Sequence, residues 1–234
     1  MKNYLKNLKI LKDGNVYSKT MEHDACGVGL IASTEGKKSR KVVEYGINAL
    51  KAVFHRGAVD ADGKTGDGAG IHLEIPSDFF AEKIELTGHK HDGSEICVGM
   101  IFLPRNDYEA QENARTIVER ELTKSNFNIY GWRQVPVNPK VLGEKANITR
   151  PEITQVLFKY NDKGLKGKDL ERKLYESRRK IENEAIKNGL DGFYICSLSS
   201  KSIIYKGMFL AESISEFYID LKDQRFISRY AIFH

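Results

Sequence analysis

Cysteine is scarce in this 234-residue chain: Cys26, Cys97 and Cys196 stand alone and far apart. No Cys-x-x-Cys pair exists, which removes the usual zinc and dithiol redox motifs. An odd, sparse count also argues against a disulfide framework and fits a reducing, cytoplasmic setting. Long apolar runs are missing too, and nothing approaches the roughly 18 residues that suggest a membrane span. Charge of one sign is limited. The formal net charge is +5, and residues 1–25 hold +2 of it. A balance so small and dispersed points to a solvated surface rather than a nucleic-acid partner. Repeats, low-complexity tracts and linkers are absent. Hydrophobic residues make up 41% and charged residues 29%, an ordinary globular composition with room for one large domain.

The most informative stretch is Glu22-His23-Asp24-Ala25-Cys26-Gly27-Val28. It reads as a processing site followed by a nucleophile. A cut between Ala25 and Cys26 places a thiol and a free α-amine on one residue. A thiol of pKa about 8.5 is only a few per cent ionised at neutral pH, and an α-amine near 7.7–8.0 is well matched to act as its base. A cysteine beside glycines can equally be a small buried hydrophobe. Gly27 and Gly29 leave room for a substrate backbone to approach. Residues 1–25 place Leu5, Leu8, Ile10 and Leu11 between lysines with no continuous apolar core, so they read as a propeptide and not a secretory signal.

Downstream, residues 26–32 suit a short buried strand. Val43, Ile47, Leu50 and Phe54 share one face of a helix over 39–54, which ends at His55-Arg56-Gly57. Ile71, Leu73 and Ile75 alternate as a strand, and Ser77-Asp78 cap a short helix. A strand over 96–103 precedes a helix capped by Asp107. Residues 128–139 read as an extended connection and 153–160 as a strand. A long helix covers 168–187, and a hairpin over 193–205 turns at Ser199-Ser200. A helix over 207–217 and a last strand over 229–233 follow. Helices and strands do not alternate strictly, so the pattern predicts a layered α+β sandwich.

Other motifs carry less chemistry. Thr65-Gly66-Asp67-Gly68-Ala69-Gly70 lacks the phosphate-loop spacing, which favours close packing beside the first strand over nucleotide binding. His55 and Arg56 fit either a site pair or cations at a helix C-terminus. His89 and His91 have no further ligands in sequence and read as a solvated loop. Cys97 and Cys196 lie in apolar strand patterns and read as core.

Taken together, residues 24–32, the Phe54-His55-Arg56-Gly57-Ala58 stretch, the loop Thr65-Gly66-Asp67-Gly68-Ala69-Gly70-Ile71, the segment Gly131-Trp132-Arg133-Gln134-Val135-Pro136-Val137, residues 151–155 and 193–199, and Ile204-Tyr205-Lys206-Gly207 resemble one family. It is the class II glutamine amidotransferase domain of the glutamate synthase large (alpha) subunit. Cys-Gly-Val-Gly and His-Arg-Gly occur throughout class II amidotransferases; the glycine loop and the Trp-Arg segment are the more specific marks.

The resemblance implies an N-terminal nucleophile (Ntn) hydrolase-type αββα four-layer sandwich, C-terminally incomplete here. It divides the chain into a propeptide, 1–25, and a partial amidotransferase domain, 26–234. It makes Cys26 the catalytic residue that attacks the side-chain amide of glutamine, giving a glutamyl thioester and ammonia. No cofactor or metal is expected in this segment, while FMN and a 3Fe-4S iron-sulfur cluster are implied for the whole enzyme, which aminates 2-oxoglutarate. Implied partners are L-glutamine, the remaining synthase domains in cis, and a small NAD(P)H-oxidising subunit or ferredoxin; neither nucleic acid nor membrane is expected. The family's substrate-carboxylate arginine, its Asn-Gly oxyanion hole and its amine-gripping aspartate fall beyond His234, so the isolated segment is expected to be inactive. The alternatives are another class II amidotransferase, of asparagine synthetase or amidophosphoribosyltransferase type, and a non-catalytic truncated fragment.

Overall fold

The computed structural model describes residues 2–14, 18, 27–53, 58–162 and 164–234. After helix α1 (Lys2–Asp13), the chain builds two four-stranded antiparallel sheets flanked by helices, the α+β sandwich that the pattern predicts. The first sheet has the order β1-β8-β2-β7, from Gly29–Ala32, Tyr230–Phe233, Ala69–Glu74 and Ser202–Gly207. The second has the order β4-β5-β3-β6, from Phe127–Gln134, Glu152–Tyr160, Cys97–Leu103 and Tyr194–Ser199.

Alternation along β3 shows why two cores form. Cys97, Ile101 and Leu103 pack with Leu122 of α4 (Tyr108–Lys124) and Leu174 and Ile181 of α6 (Gly167–Lys187). Val98 and Met100 join the larger core, with Ile71, Leu73, Tyr205 and Ala231 of the first sheet. Helix α2 (Arg40–Ala52) closes that core with Val43, Ile47 and Leu50, the face expected from sequence. Its N-cap is Ser39, whose hydroxyl accepts from the Val42 N–H. Asp107 caps α4 as expected, accepting from the Ala110 N–H at 2.9 Å.

Several local expectations change. Helix α3 (Ser77–Glu85) starts one residue early: Pro76 is its N-cap and Ser77 is already helical. The connection over 128–139 contains β4, a full strand. Its period of two is broken by a register shift between Ile129 and Gly131, with Gly131 at φ 149. Strands β6 and β7 are real but do not pair with each other. Each joins a different sheet, β6 on β3 and β7 on β2. The turn between them is held by side chains, with the Ser199 hydroxyl accepting from the Lys201 N–H and Glu171 accepting from the Ser200 N–H. The helix over 207–217 shrinks to a 3₁₀ turn, Ala211–Ser213, and α7 (Ile214–Phe217). A short helix, α5 (Glu144–Thr149), was not foreseen. Among the described residues no helix is long and apolar enough to cross a membrane.

Candidate functional site

At one end of the first sheet, the start of β1, the start of β2 and the ends of β7 and β8 meet. Register fixes this: Ala69 stands opposite Gly207, and Gly29 and Ile71 stand opposite Phe233. A cleft of about 600 Å³ opens there. Its walls are mostly apolar, with Ile71, Phe102, Ile153, Ile204 and Phe233, and its polar groups include Asp67, His72, Arg150, Lys206 and His234. A large apolar pocket with a few convergent polar groups is the form that small-molecule sites take.

Cys26, His55 and Arg56 lie outside the described residues. The nearest described marker of Cys26 is Val28, two residues on, which lines the cleft and is exposed. At Gly29 the space left by the missing side chain is taken by an aromatic ring. A Cβ there would lie 2.2 Å from the Phe233 ring, so its missing side chain lets β1 cross an aromatic from β8.

The polar groups differ in charge and restraint. Lys206 Nζ donates to the Tyr194 hydroxyl at 2.8 Å and sits 4.5 Å above the Tyr194 ring. Arg150 donates through Nε to Asn147 Oδ1 at 3.4 Å; burial, then repulsion from Arg105, lowers its pKa. Partial burial also lowers the pKa of His72, which keeps its imidazole neutral at pH 7, and its buried Nε2 has no hydrogen-bond partner among the described residues. His234 is fixed by two backbone bonds to Gly70, at 2.9 and 3.1 Å. Sequence reasoning missed His72, Arg150 and Lys206, because β2, β7 and the end of α5, far apart along the chain, meet only in the fold.

The glycine loop does pack closely, against α5 and against the segment after β7, where a Cβ at Gly66 would lie 2.8 Å from the Phe209 carbonyl oxygen. Asp62 Oδ1 accepts from the N–H groups of Lys64 and Thr65 at 2.9 and 2.7 Å, and Oδ2 accepts from the Thr65 hydroxyl at 2.6 Å. Asp60 pairs with Lys145 of α5 at 2.7 Å. The loop and α5 both line the cleft, through Asp67 and Gly68 and through Ala146 and Thr149. The Asp-x-Lys-Thr spacing of Asp62, Lys64 and Thr65 is a local turn signal that sequence could have yielded.

His89 and His91 flank the Tyr130 ring at 6.2 and 6.5 Å. Among the described residues, no group of three or more His, Cys, Asp or Glu is placed to hold a metal ion. Cys97 and Cys196 are buried, and burial pushes both thiols up, Cys196 to about 11. Neither is suited to nucleophilic chemistry.

The family model for class II glutamine amidotransferases matches residues 26–234. The chain is 54% identical over 228 residues to the large chain of an NADPH glutamate synthase from Azospirillum brasilense, covering 97% of this chain and 15% of that protein. It is 39% identical over 214 residues to a ferredoxin-dependent glutamate synthase 2 from Synechocystis, with coverage of 91% and 13%. It is 36% identical over 230 residues to an NADPH glutamate synthase large chain from Bacillus subtilis, with coverage of 95% and 14%. The chain thus spans about one-seventh of the length of these relatives. From the match over residues 26–234, the chain belongs to the class II glutamine amidotransferases.

Proposed function

We propose that residues 26–234 are the glutamine-hydrolysing domain of a glutamate synthase large subunit and that Cys26 is its nucleophile. One coincidence carries the reading: the family match begins at residue 26, and Val28, two residues on, lines the cleft. Removal of residues 1–25 frees the Cys26 α-amine, which takes the thiol proton. The thiolate adds to the side-chain carbonyl carbon of glutamine. The tetrahedral adduct expels ammonia, which leaves with that proton, and water then hydrolyses the γ-glutamyl thioester to glutamate.

The similarity to glutamate synthases extends the proposal to the longer protein. Its ammonia aminates 2-oxoglutarate at a flavin site outside this chain, with electrons from NAD(P)H or ferredoxin. By the same similarity, FMN and the iron-sulfur cluster are assigned to the remaining domains in cis, and no step here runs through them. The compartment consistent with three isolated cysteines is the cytoplasm.

The test uses the full-length protein. Intact mass shows loss of residues 1–25, and a glutamine-analogue electrophile labels Cys26. A retained leader together with labelling of Cys97 refutes the proposal.

A further inference from the structure

We propose that Asp62 is a positioning residue, latching the 58–68 loop to α5 so that the Asp67–Gly68 wall stands where glutamine binds. This rests on the reading of the cleft as the glutamine site.

The latch has two halves. Within the loop, the Asp62 carboxylate gathers the Lys64 and Thr65 N–H groups and the Thr65 hydroxyl. Across the gap, it also accepts the backbone N–H of Glu144, the first residue of α5, and the Thr65 oxygen accepts the Ala146 N–H at 3.5 Å. Those two N–H groups stand in the first turn of α5, where the helix itself offers no acceptor. Gly143 makes the approach possible. A Cβ there would lie 2.1 Å from Asp62 Oδ2 and 2.2 Å from Thr65 Oγ1, so any side chain at 143 forces loop and helix apart.

The loop is largely exposed and has little apolar anchorage of its own, so polar contacts fix its position. Hydrogen bonds from the Thr65 hydroxyl, then from the N–H groups of Thr65 and Lys64, hold the Asp62 carboxyl down at about 2. The latch is therefore ionised throughout the neutral range.

The test compares Asp62→Ala, Asp62→Asn and Gly143→Ala in the full-length protein, with Lys145→Ala as the control that removes only the exposed Asp60–Lys145 pair. Circular dichroism verifies folding, and Asp62→Asn, which keeps one acceptor oxygen for the backbone, serves if the alanine variants fail to fold. Limited trypsin digestion reads the latch directly through cleavage after Lys64. Cleavage accelerates about tenfold or more in Asp62→Ala and Gly143→Ala, less in Asp62→Asn, and stays within about twofold in Lys145→Ala. Inactivation by a glutamine-analogue electrophile reads the function. Its half-saturating concentration rises about tenfold while its limiting rate, and the rate with iodoacetamide, stay within about twofold. Unchanged cleavage at Lys64 overturns the latch. Faster cleavage with unchanged half-saturation overturns the positioning role. A wild-type protein that the analogue does not label removes the glutamine reading and the positioning role with it, while the trypsin arm still reports on the latch separately.

Discussion

Replacing Asp220 by alanine tests the polar network that ties the two sheets together. Arg133 of β4 donates to both Asp220 oxygens at 2.9 Å and to Gln155 of β5 at 2.8 Å. Tyr205 of β7, fully buried, donates to Asp220 at 3.0 Å. Asp220 is 4% exposed and the Arg133 side chain 13%. Removing the carboxylate strands a guanidinium where water barely reaches, at a cost of about 3–5 kcal/mol, with ~1 kcal/mol more for the orphaned Tyr205 hydroxyl. A domain of this size has a total stability of about 5–15 kcal/mol. The loss therefore lowers Tm by roughly 8–24 °C, at about 2–4 °C per kcal/mol. Urea unfolding at pH 7, with unchanged slope m, gives the free energy. The double variant Arg133→Met, Asp220→Leu removes both charges and leaves Gln155 and Tyr205 hydrogen-bonded to each other at 3.4 Å. Its cost falls below that of Asp220→Ala alone. A single-variant loss under about 1 kcal/mol, or a double variant as damaging as the sum of its parts, refutes the reasoning.

Three further outcomes follow from other contacts. With iodoacetamide at pH 8 the folded, processed protein takes up one label, at Cys26, and denaturation releases Cys97 and Cys196; native labelling of either buried thiol at a comparable rate contradicts their upward shift. Burial alone would raise the Glu74 carboxyl, but hydrogen bonds from Arg229, through Nε at 2.8 Å and through its backbone N–H, bring the net value below normal. Its stabilisation is full above the ordinary value of about 4.5 and is lost as pH falls through the lower folded-state value, so Glu74→Gln flattens the acid limb of a stability–pH curve while an unaltered limb counts against it. Asp107→Ala removes the α4 cap and costs about 0.5–2 kcal/mol by the same urea assay, with no effect expected on labelling of Cys26.

What sequence showed well was whatever is encoded within one turn or one strand. The cap Asp107 bonds to an N–H group three residues away, and the apolar faces of α2 and α6 follow a period that any core of the right shape satisfies. What it showed badly depends on partners far along the chain. The ends of β6 and β7 are separated by two residues, a spacing that suggests a hairpin, but β3 and β2 compete for them and win. Strand β4 hid because its bulge reverses the inward–outward alternation midway, leaving neither a period of two nor a helical period to detect. Helix α5 has six residues and one buried side chain, Ala146, too few to print any period.

The glycines around the site carry the same lesson into function. In sequence, Gly29 near Cys26 reads as space left for a substrate, and the Gly66–Gly70 loop as close packing beside the first strand. In the fold, the space at Gly29 is filled by the Phe233 ring, and a Cβ at Gly66 would lie 2.8 Å from the Phe209 carbonyl oxygen. Gly143, which drew no notice in sequence, is the one that the Asp62 latch requires. Gly29, Gly66 and Gly143 let β1 meet β8 and let the loop meet α5 and the segment after β7. The cleft is what remains once those contacts are made, so its shape is set by packing between residues up to about two hundred positions apart. Substitutions at Gly29 or Gly143 should therefore act on the cleft through the elements that they separate, before any direct encounter with glutamine.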